Sequence, residues 1–270
     1  MKGSVVRGSG AALMALALAA QGLFAQENPF QWSGRMDTGQ TLEVRGITGS
    51  IRAEVASGST ASVVAEKRGD EDDFGRVLIR MEEVRGGIVI CALYHERNFD
   101  RDGCDGRSSG DDSNHGNDDS IDVSVEYVVQ LPAGVELMGM MVTGDIEAEG
   151  LRSDLDVKTV TGDITVSTSG IARASTVSGD IDVSMASTDW DDMHFNTVSG
   201  DITLRLPADL DAEVDFNSLS GDIESDFDIE VRERDEGRWI GTEMRGTIGQ
   251  GGRSLSINTV SGDVEIRRIR

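Results

Sequence analysis

The chain is poor in the side chains that carry most enzyme chemistry. Its 270 residues include three histidines, two cysteines and 4% aromatics, and no G-x-S-x-G elbow, Walker loop or zinc motif occurs. His95, His115 and His194 have no spacing that would set two of them on one metal ion. His194 lies between Met193 and Phe195, so strand alternation should point it at solvent. Trp32, Trp190 and Trp239 are too scattered for a sugar-stacking platform, although Trp190, in "STDWDD", is expected to be exposed in a connection between strands. Acid pairs such as Asp191 and Asp192 arise by chance in so acidic a chain. A carbohydrate-processing enzyme on a β-helix, which needs only a few carboxylates and basic groups, is therefore the alternative reading and not the first.

Positive charge is scarce as well. Twenty-five Lys and Arg face 49 Asp and Glu, a formal net of −24, and such a surface repels DNA, RNA and anionic headgroups. No nucleic-acid partner is expected. Acidic chains with few aromatics can be disordered, but 33 glycines spaced at regular turns and a steady supply of Val, Ile and Leu indicate a folded body.

Long apolar runs are missing apart from "AALMALALAA" at 11–20. Ten residues are too few for a bilayer, which takes about 20. Lys2 and Arg7 precede the run and "QGLFA" follows it, the order of a secretory signal peptide over 1–25 with cleavage after Ala25. Leu23 is not ideal at the third-last place. Loss of Lys2 and Arg7 makes the mature chain more negative by two. No Cys follows the apolar core, which argues against a lipid anchor. The expectation is an exported protein, periplasmic or at the cell surface, without an integral membrane segment.

What the chain has in quantity is one repeated turn. "KTVTGDITV", "STVSGDIDV", "NTVSGDITL", "NSLSGDIES" and "NTVSGDVEI" are copies of a template that fits seven segments. Their glycines are Gly49, Gly144, Gly162, Gly179, Gly200, Gly221 and Gly262, each preceded by Ser or Thr. Asp145, Asp163, Asp180, Asp201, Asp222 and Asp263 follow in six copies, and Ser50 in the first. Successive aspartates lie about 20 residues apart except for the last interval, which is about two periods. One coil near 240–250, where glycines crowd, is expected to have lost the signature.

A period near 20 marks a stacked architecture. Apolar residues alternate within each copy, as in Leu155, Val157 and Thr159, then change parity to Val160, Ile164 and Val166. Alternation means strand and a parity change means a corner or bulge. The expected fold is all-β: a β-solenoid of two-strand coils of about 17–21 residues, with Val198 and Ile202 both in the stacked core. The organisation read from the chain is a linker at 26–37, an irregular and sandwich-like β section at 38–134, and the repeat solenoid at 135–270. "TLEVRGITGSIRAEV" is one good coil within the irregular section, and its strand is expected to pair with the repeats.

Two chemical readings of the repeated turn compete. In one, each Asp accepts hydrogen bonds from amides of its own turn while Gly supplies a conformation that a side chain forbids. In the other, the stacked aspartates form a ladder of cation sites. The paired glycine-rich turns every nine residues seen in calcium-binding repeats are absent, which favours the first.

The segment "NFDRDGCDGRSSGDDSNHGNDDSID" at 98–122 reads as a long exposed loop. Cys91 and Cys104 are the only cysteines of a chain expected to be exported, so a disulfide is their natural state. Asp100, Asp102, Asp105, Asp111 and Asp112 are the best candidate ligands for a hard cation such as calcium. Cys104 falls where an EF-hand carboxylate belongs and no Glu closes the site, so a solvated acidic loop competes with weak calcium binding. No other cofactor is expected.

The recurring "TVSGDI", the leading signal peptide, and "VICALY" followed by an acidic Cys-containing loop resemble the bacterial "putative adhesin" domain family of unknown function, related to auto-transporter adhesin heads. The resemblance spans roughly residues 38 to 270. It implies a β-solenoid-like fold, export, and adhesion to an envelope protein or glycan, and it carries over no catalytic residue. The last strand, "VEIRRIR", is expected to present an open edge that could support self-association.

Overall fold

The computed structural model describes residues 28–94, 103–104, 121–190, 192–234 and 242–269. Alternating apolar and polar residues make the strands half-buried ribbons. The first group is β1 (Phe30–Arg35), β2 (Thr41–Arg45), β3 (Gly49–Val55), β4 (Thr60–Gly69), β5 (Val77–Val84), β6 (Gly87–Tyr94) and β7 (Val123–Leu131). Next come β8 (Glu136–Met140), β9 (Ile146–Leu151), β10 (Leu155–Lys158), β11 (Ile164–Thr168), β12 (Ala172–Ser175), β13 (Ile181–Met185), β14 (Asp192–Asn196) and β15 (Ile202–Leu206). The last are β16 (Ala212–Ser220), β17 (Ile223–Ser225), β18 (Ile229–Arg234), β19 (Thr242–Ile248), β20 (Ser254–Ser261) and β21 (Val264–Arg268). The one helical turn among the described residues is a 3₁₀ segment at Glu71–Arg76, capped by the Asp70 carboxylate accepting from the Asp72 amide.

Two sheets face each other across one core. The first runs β1-β4-β7-β3-β9-β11-β13-β15-β21-β17 and the second β18-β19-β16-β20-β14-β12-β10-β8-β2-β6-β5. Their central strands are parallel and in register, so Ile146, Ile164, Ile181, Ile202 and Val264 stack as one column. All five are essentially buried, and each such side chain contributes roughly 1.5–3 kcal/mol by leaving water. No single coil could hide that column, so stability is shared along the stack.

The coils do not stack in chain order. β3 pairs with β7 on one side and β9 on the other, and β2 lies between β6 and β8. The first coil is thus set into the stack between two later ones. The same happens at the other terminus, where β20 lies between β14 and β16 and β21 between β15 and β17. This corrects the open C-terminal edge: β21, Val264–Arg268, is an inner strand between β15 and β17.

Antiparallel strands close the ends of the stack. β4 and β1 follow β7 on the first sheet, and β5 follows β6 on the second. At the other end β19 and β18 follow β16. These two strands occupy the double-length interval in the repeat, so the coil expected near 240–250 is an antiparallel cap. Residues 30–35, assigned to a linker from sequence, form β1. Trp190 is buried, not exposed: it packs in the main core, and its indole Nε1 has no hydrogen-bond partner.

Candidate binding surface

The Ser-Gly-Asp corner is where the two strands of a coil meet, and stacking turns each of its positions into a column. Isolated bridges join Thr48 to Thr143, then Thr161, Ser178, Ser199 and Ser261, and Ser220 follows on Ser261. Seven coils at about 4.8 Å per step make a corner roughly 29 Å long.

Glycine is required because the coils touch there. Gly200 has φ of 142°, and a Cβ at this residue would land on the carbonyl oxygen of Gly179 in the neighbouring coil. Gly49, Gly144, Gly162, Gly179, Gly221 and Gly262 occupy the same place in their own coils and also have positive φ.

The aspartates tie coil to coil. The Asp163 amide donates to Asp145 Oδ1 at 2.8 Å, Asp180 to Asp163, Asp201 to Asp180 and Asp263 to Asp201 at the same distance, and Asp222 to Asp263 at 2.9 Å. The sequence reading had each carboxylate accepting from its own turn. The difference is physical: a local Asx bond satisfies one turn, whereas this bond fixes the rise between neighbours. It also offsets the repulsion of carboxylates stacked about 5 Å apart, roughly 1 kcal/mol per pair in water.

The hydroxyl three residues before the glycine turns inward. Thr159 Oγ1 donates to the Gly144 carbonyl at 3.1 Å, Thr176 to Gly162 at 3.2 Å and Thr197 to Gly179 at 3.3 Å. All three threonines are buried. The following apolar residue is therefore expelled to the outside. Val198 is 46% exposed while Ile202 is 0% exposed, which corrects the placement of Val198 in the core. Ile47, Val142, Val160, Val177, Val260 and Leu219 share its position and its exposure. Sequence reasoning missed this column by moving the parity change one residue too early. The signal was present, because Thr159 continues the parity of Leu155 and Val157.

The corner therefore displays three parallel lines: aliphatic side chains, Ser/Thr hydroxyls and carboxylates. Beside them on the second sheet runs an amide line, with Asn258 donating to Asn196 Oδ1 at 2.9 Å and Asn217 to Asn258 Oδ1 at 3.1 Å. His194 is exposed on the outer face of β14.

Cys91 and Cys104 form a disulfide. It seats Cys104 on the outer face of β6, where Val89 and Cys91 form a small second apolar cluster with it. Arg45 donates to the Cys104 carbonyl and the Cys104 amide to Glu82 at 3.3 Å. Asp100, Asp102, Asp105, Asp111 and Asp112, like His95, His115 and the signal segment, lie outside the described residues. Among the described residues no group of three or more His, Cys, Asp or Glu side chains is arranged to hold a metal ion, and no helix is long and apolar enough to cross a membrane.

The chain is similar to several solved structures and to one family model. The solved structures it resembles include a "putative cell adhesion protein" from Clostridium sporogenes, at 9% identity over 89% of this chain and 100% of that one with a TM-score of 0.43. They also include a "putative adhesin" from Bacteroides fragilis, at 10% identity over 92% and 100% with a TM-score of 0.29. A "putative lipid binding protein" from Parabacteroides distasonis follows at 11% identity, 90% and 97% coverage and 0.25. No curated protein matches the sequence. The family model described as Toastrack DUF4097 matches residues 120–267, more than half of the chain, and the chain belongs to that family of unknown function.

Proposed function

We propose that this protein is an exported, non-enzymatic scaffold of the cell envelope or cell surface that presents a rigid, acidic surface to a protein or glycan. The observation that carries the reading is the corner: seven coils repeat aliphatic and hydroxyl groups in straight lines, and six of them add a carboxylate. Groups locked by inter-coil bonds lose little conformational freedom on binding, and that preorganisation favours recognition of an extended partner. The signal-peptide-like leader and the disulfide support export, since disulfides persist in oxidising compartments.

The test is a pull-down from envelope extract with the mature chain, paired with a reducing-end assay on any glycan retained. Retention without turnover is expected. Turnover of a bound glycan overturns the reading in favour of a carbohydrate-processing enzyme. Calorimetry with millimolar calcium separately tests the acidic loop, and stabilisation by calcium would add a structural cation to the scaffold.

A further inference from the structure

The outer face of the first sheet carries a groove of about 550 Å³ that crosses four successive coils, from β9 through β11 and β13 to β15. Its floor is short and uncharged, made by Thr165, Ser167 and Ser184. Glu149 rises at one side, next to Gly150 where the β9–β11 register shifts. Asp182 and Arg205 rise at the other, already paired with each other.

The floor hydroxyls are available. Ser167 Oγ accepts from the Gly150 amide at 2.8 Å, which leaves its own proton to donate outward. Thr165 Oγ1 and Ser184 Oγ have no protein hydrogen-bond partner among the described residues, and both lie on the solvent face of their strands. The amide line of the second sheet differs, because Asn196, Asn258 and Asn217 already bond one another.

Resting on the scaffold reading above, we propose that this groove is a binding site for a linear neutral glycan lying along the stack axis. Three features select that ligand. Hydroxyls and planar carboxylate and guanidinium groups match the donors and acceptors of sugar hydroxyls. The rung spacing of about 4.8 Å is close to the length of one pyranose residue in an extended β-linked chain, so successive sugars meet successive coils. The walls set two carboxylates against one guanidinium, and this negative charge together with the chain's net of −24 repels uronate- or phosphate-bearing polymers. The groove holds no aromatic side chain, so affinity per sugar is low and binding grows with oligomer length.

The test is a glycan array carrying linear neutral and linear anionic oligosaccharides, probed with the mature chain and three variants. Wild type is expected to retain neutral oligomers, more strongly with length and without weakening by salt. Ser184→Leu, which fills the floor, is expected to lose at least tenfold in retention, and Ser175→Leu on the opposite sheet to lose none. Thr165→Val removes one hydroxyl without changing shape and covers the case in which Ser184→Leu unfolds. Equal retention by folded Ser184→Leu and Thr165→Val, or preference for anionic oligomers, overturns the groove. If those variants also keep wild-type retention of envelope material, the scaffold reading survives; if wild type retains nothing from array or extract, both fall.

Discussion

The Asp201 amide donates to Asp180 Oδ1 at 2.8 Å across two coils whose aspartates are 21 residues apart in sequence. Asp201 Oδ1 in turn accepts from the Asp263 amide at 2.8 Å, a bond that needs an acceptor and does not need a charge. Asp201→Asn keeps the oxygen, a weaker acceptor, and removes the repulsions with Asp180 and Asp263, so it should leave stability within about 0.5 kcal/mol of wild type. Asp201→Ala loses the acceptor for the Asp263 amide and should cost about 1 kcal/mol. Gly200→Ala puts a methyl group on the Gly179 carbonyl at a left-handed φ and should cost about 3 kcal/mol or more. Urea unfolding of the three variants checks the order; equal loss from Asn and Ala would mean the charge itself matters.

Val198 and Ile202 are four residues apart and lie on opposite sides of the coil wall. Ile202→Ala opens a cavity in a closed core and should cost about 3 kcal/mol. Val198→Ala removes only stacking between neighbouring exposed valines and should cost less than about 1 kcal/mol. Thermal and urea midpoints of the two variants give the comparison, and similar losses would return Val198 to the core.

Much of this fold was legible because the repeat writes the same local physics seven times. Gly, Asp and alternating apolar residues named the corner, the coil and the all-β class, and two cysteines named their bond. The stacking order was not legible. Coils with the same inward pattern are interchangeable as neighbours, so nothing in "TLEVRGITGSIRAEV" or "INTVSGDVEI" tells which two coils each will enter. The caps were hidden for a related reason: β18 and β19 keep strand character but lack the corner, and an interval of two periods is also what a missing coil would leave. For the candidate surface, the apolar column was read as core because an exposed line of valines breaks the rule that periodicity reports burial. That exception is made by threonines spending their inward position on glycine carbonyls.

The Cys91–Cys104 disulfide closes a 13-residue separation. Its removal in Cys91→Ser/Cys104→Ser should lower stability by about 3 kcal/mol in the chain-entropy model. Calorimetry on the double variant tests this, with thiol titration of denatured, unreduced wild type expected to find no free thiol. An unchanged midpoint would mean that the contacts of Arg45 and Glu82 with Cys104 hold the segment alone.

Lys67 is 4% exposed and donates to the Phe74 carbonyl at 3.0 Å. Desolvation lowers its pKa from the ordinary 10.5. Between the lowered folded value and 10.5 the unfolded chain holds the extra proton, so this residue's contribution becomes more favourable as pH rises and is lost as pH falls through the folded value. Tyr94, pushed up to about 12 by burial, and Tyr127, pushed up further in the core, act oppositely above pH 10. Both tyrosines remain in Lys67→Met, so the stability difference between variant and wild type isolates the lysine. That difference should move in favour of wild type as pH rises toward 10.5, and a flat difference would place the ammonium in contact with water.

The inserted C-terminal coil makes a prediction that a solenoid stacked in chain order does not. β20 and β21 separate β14 and β15 from β16 and β17, and Pro207 to Asp211 carry the chain past the place they fill. In a sequential stack, deleting the final coil would expose one new end and leave the other coils paired. Here, deletion after Arg253 empties an internal slot, leaving one open edge on β14 and β15 and another facing it on β16 and β17. Unpaired parallel edges of that length favour association with other chains. The truncated protein should therefore lose amide-exchange protection in β14 to β17 together and aggregate at concentrations where wild type does not. Protection retained in β14 and β15 would show that the early coils form a stable unit before the last one enters.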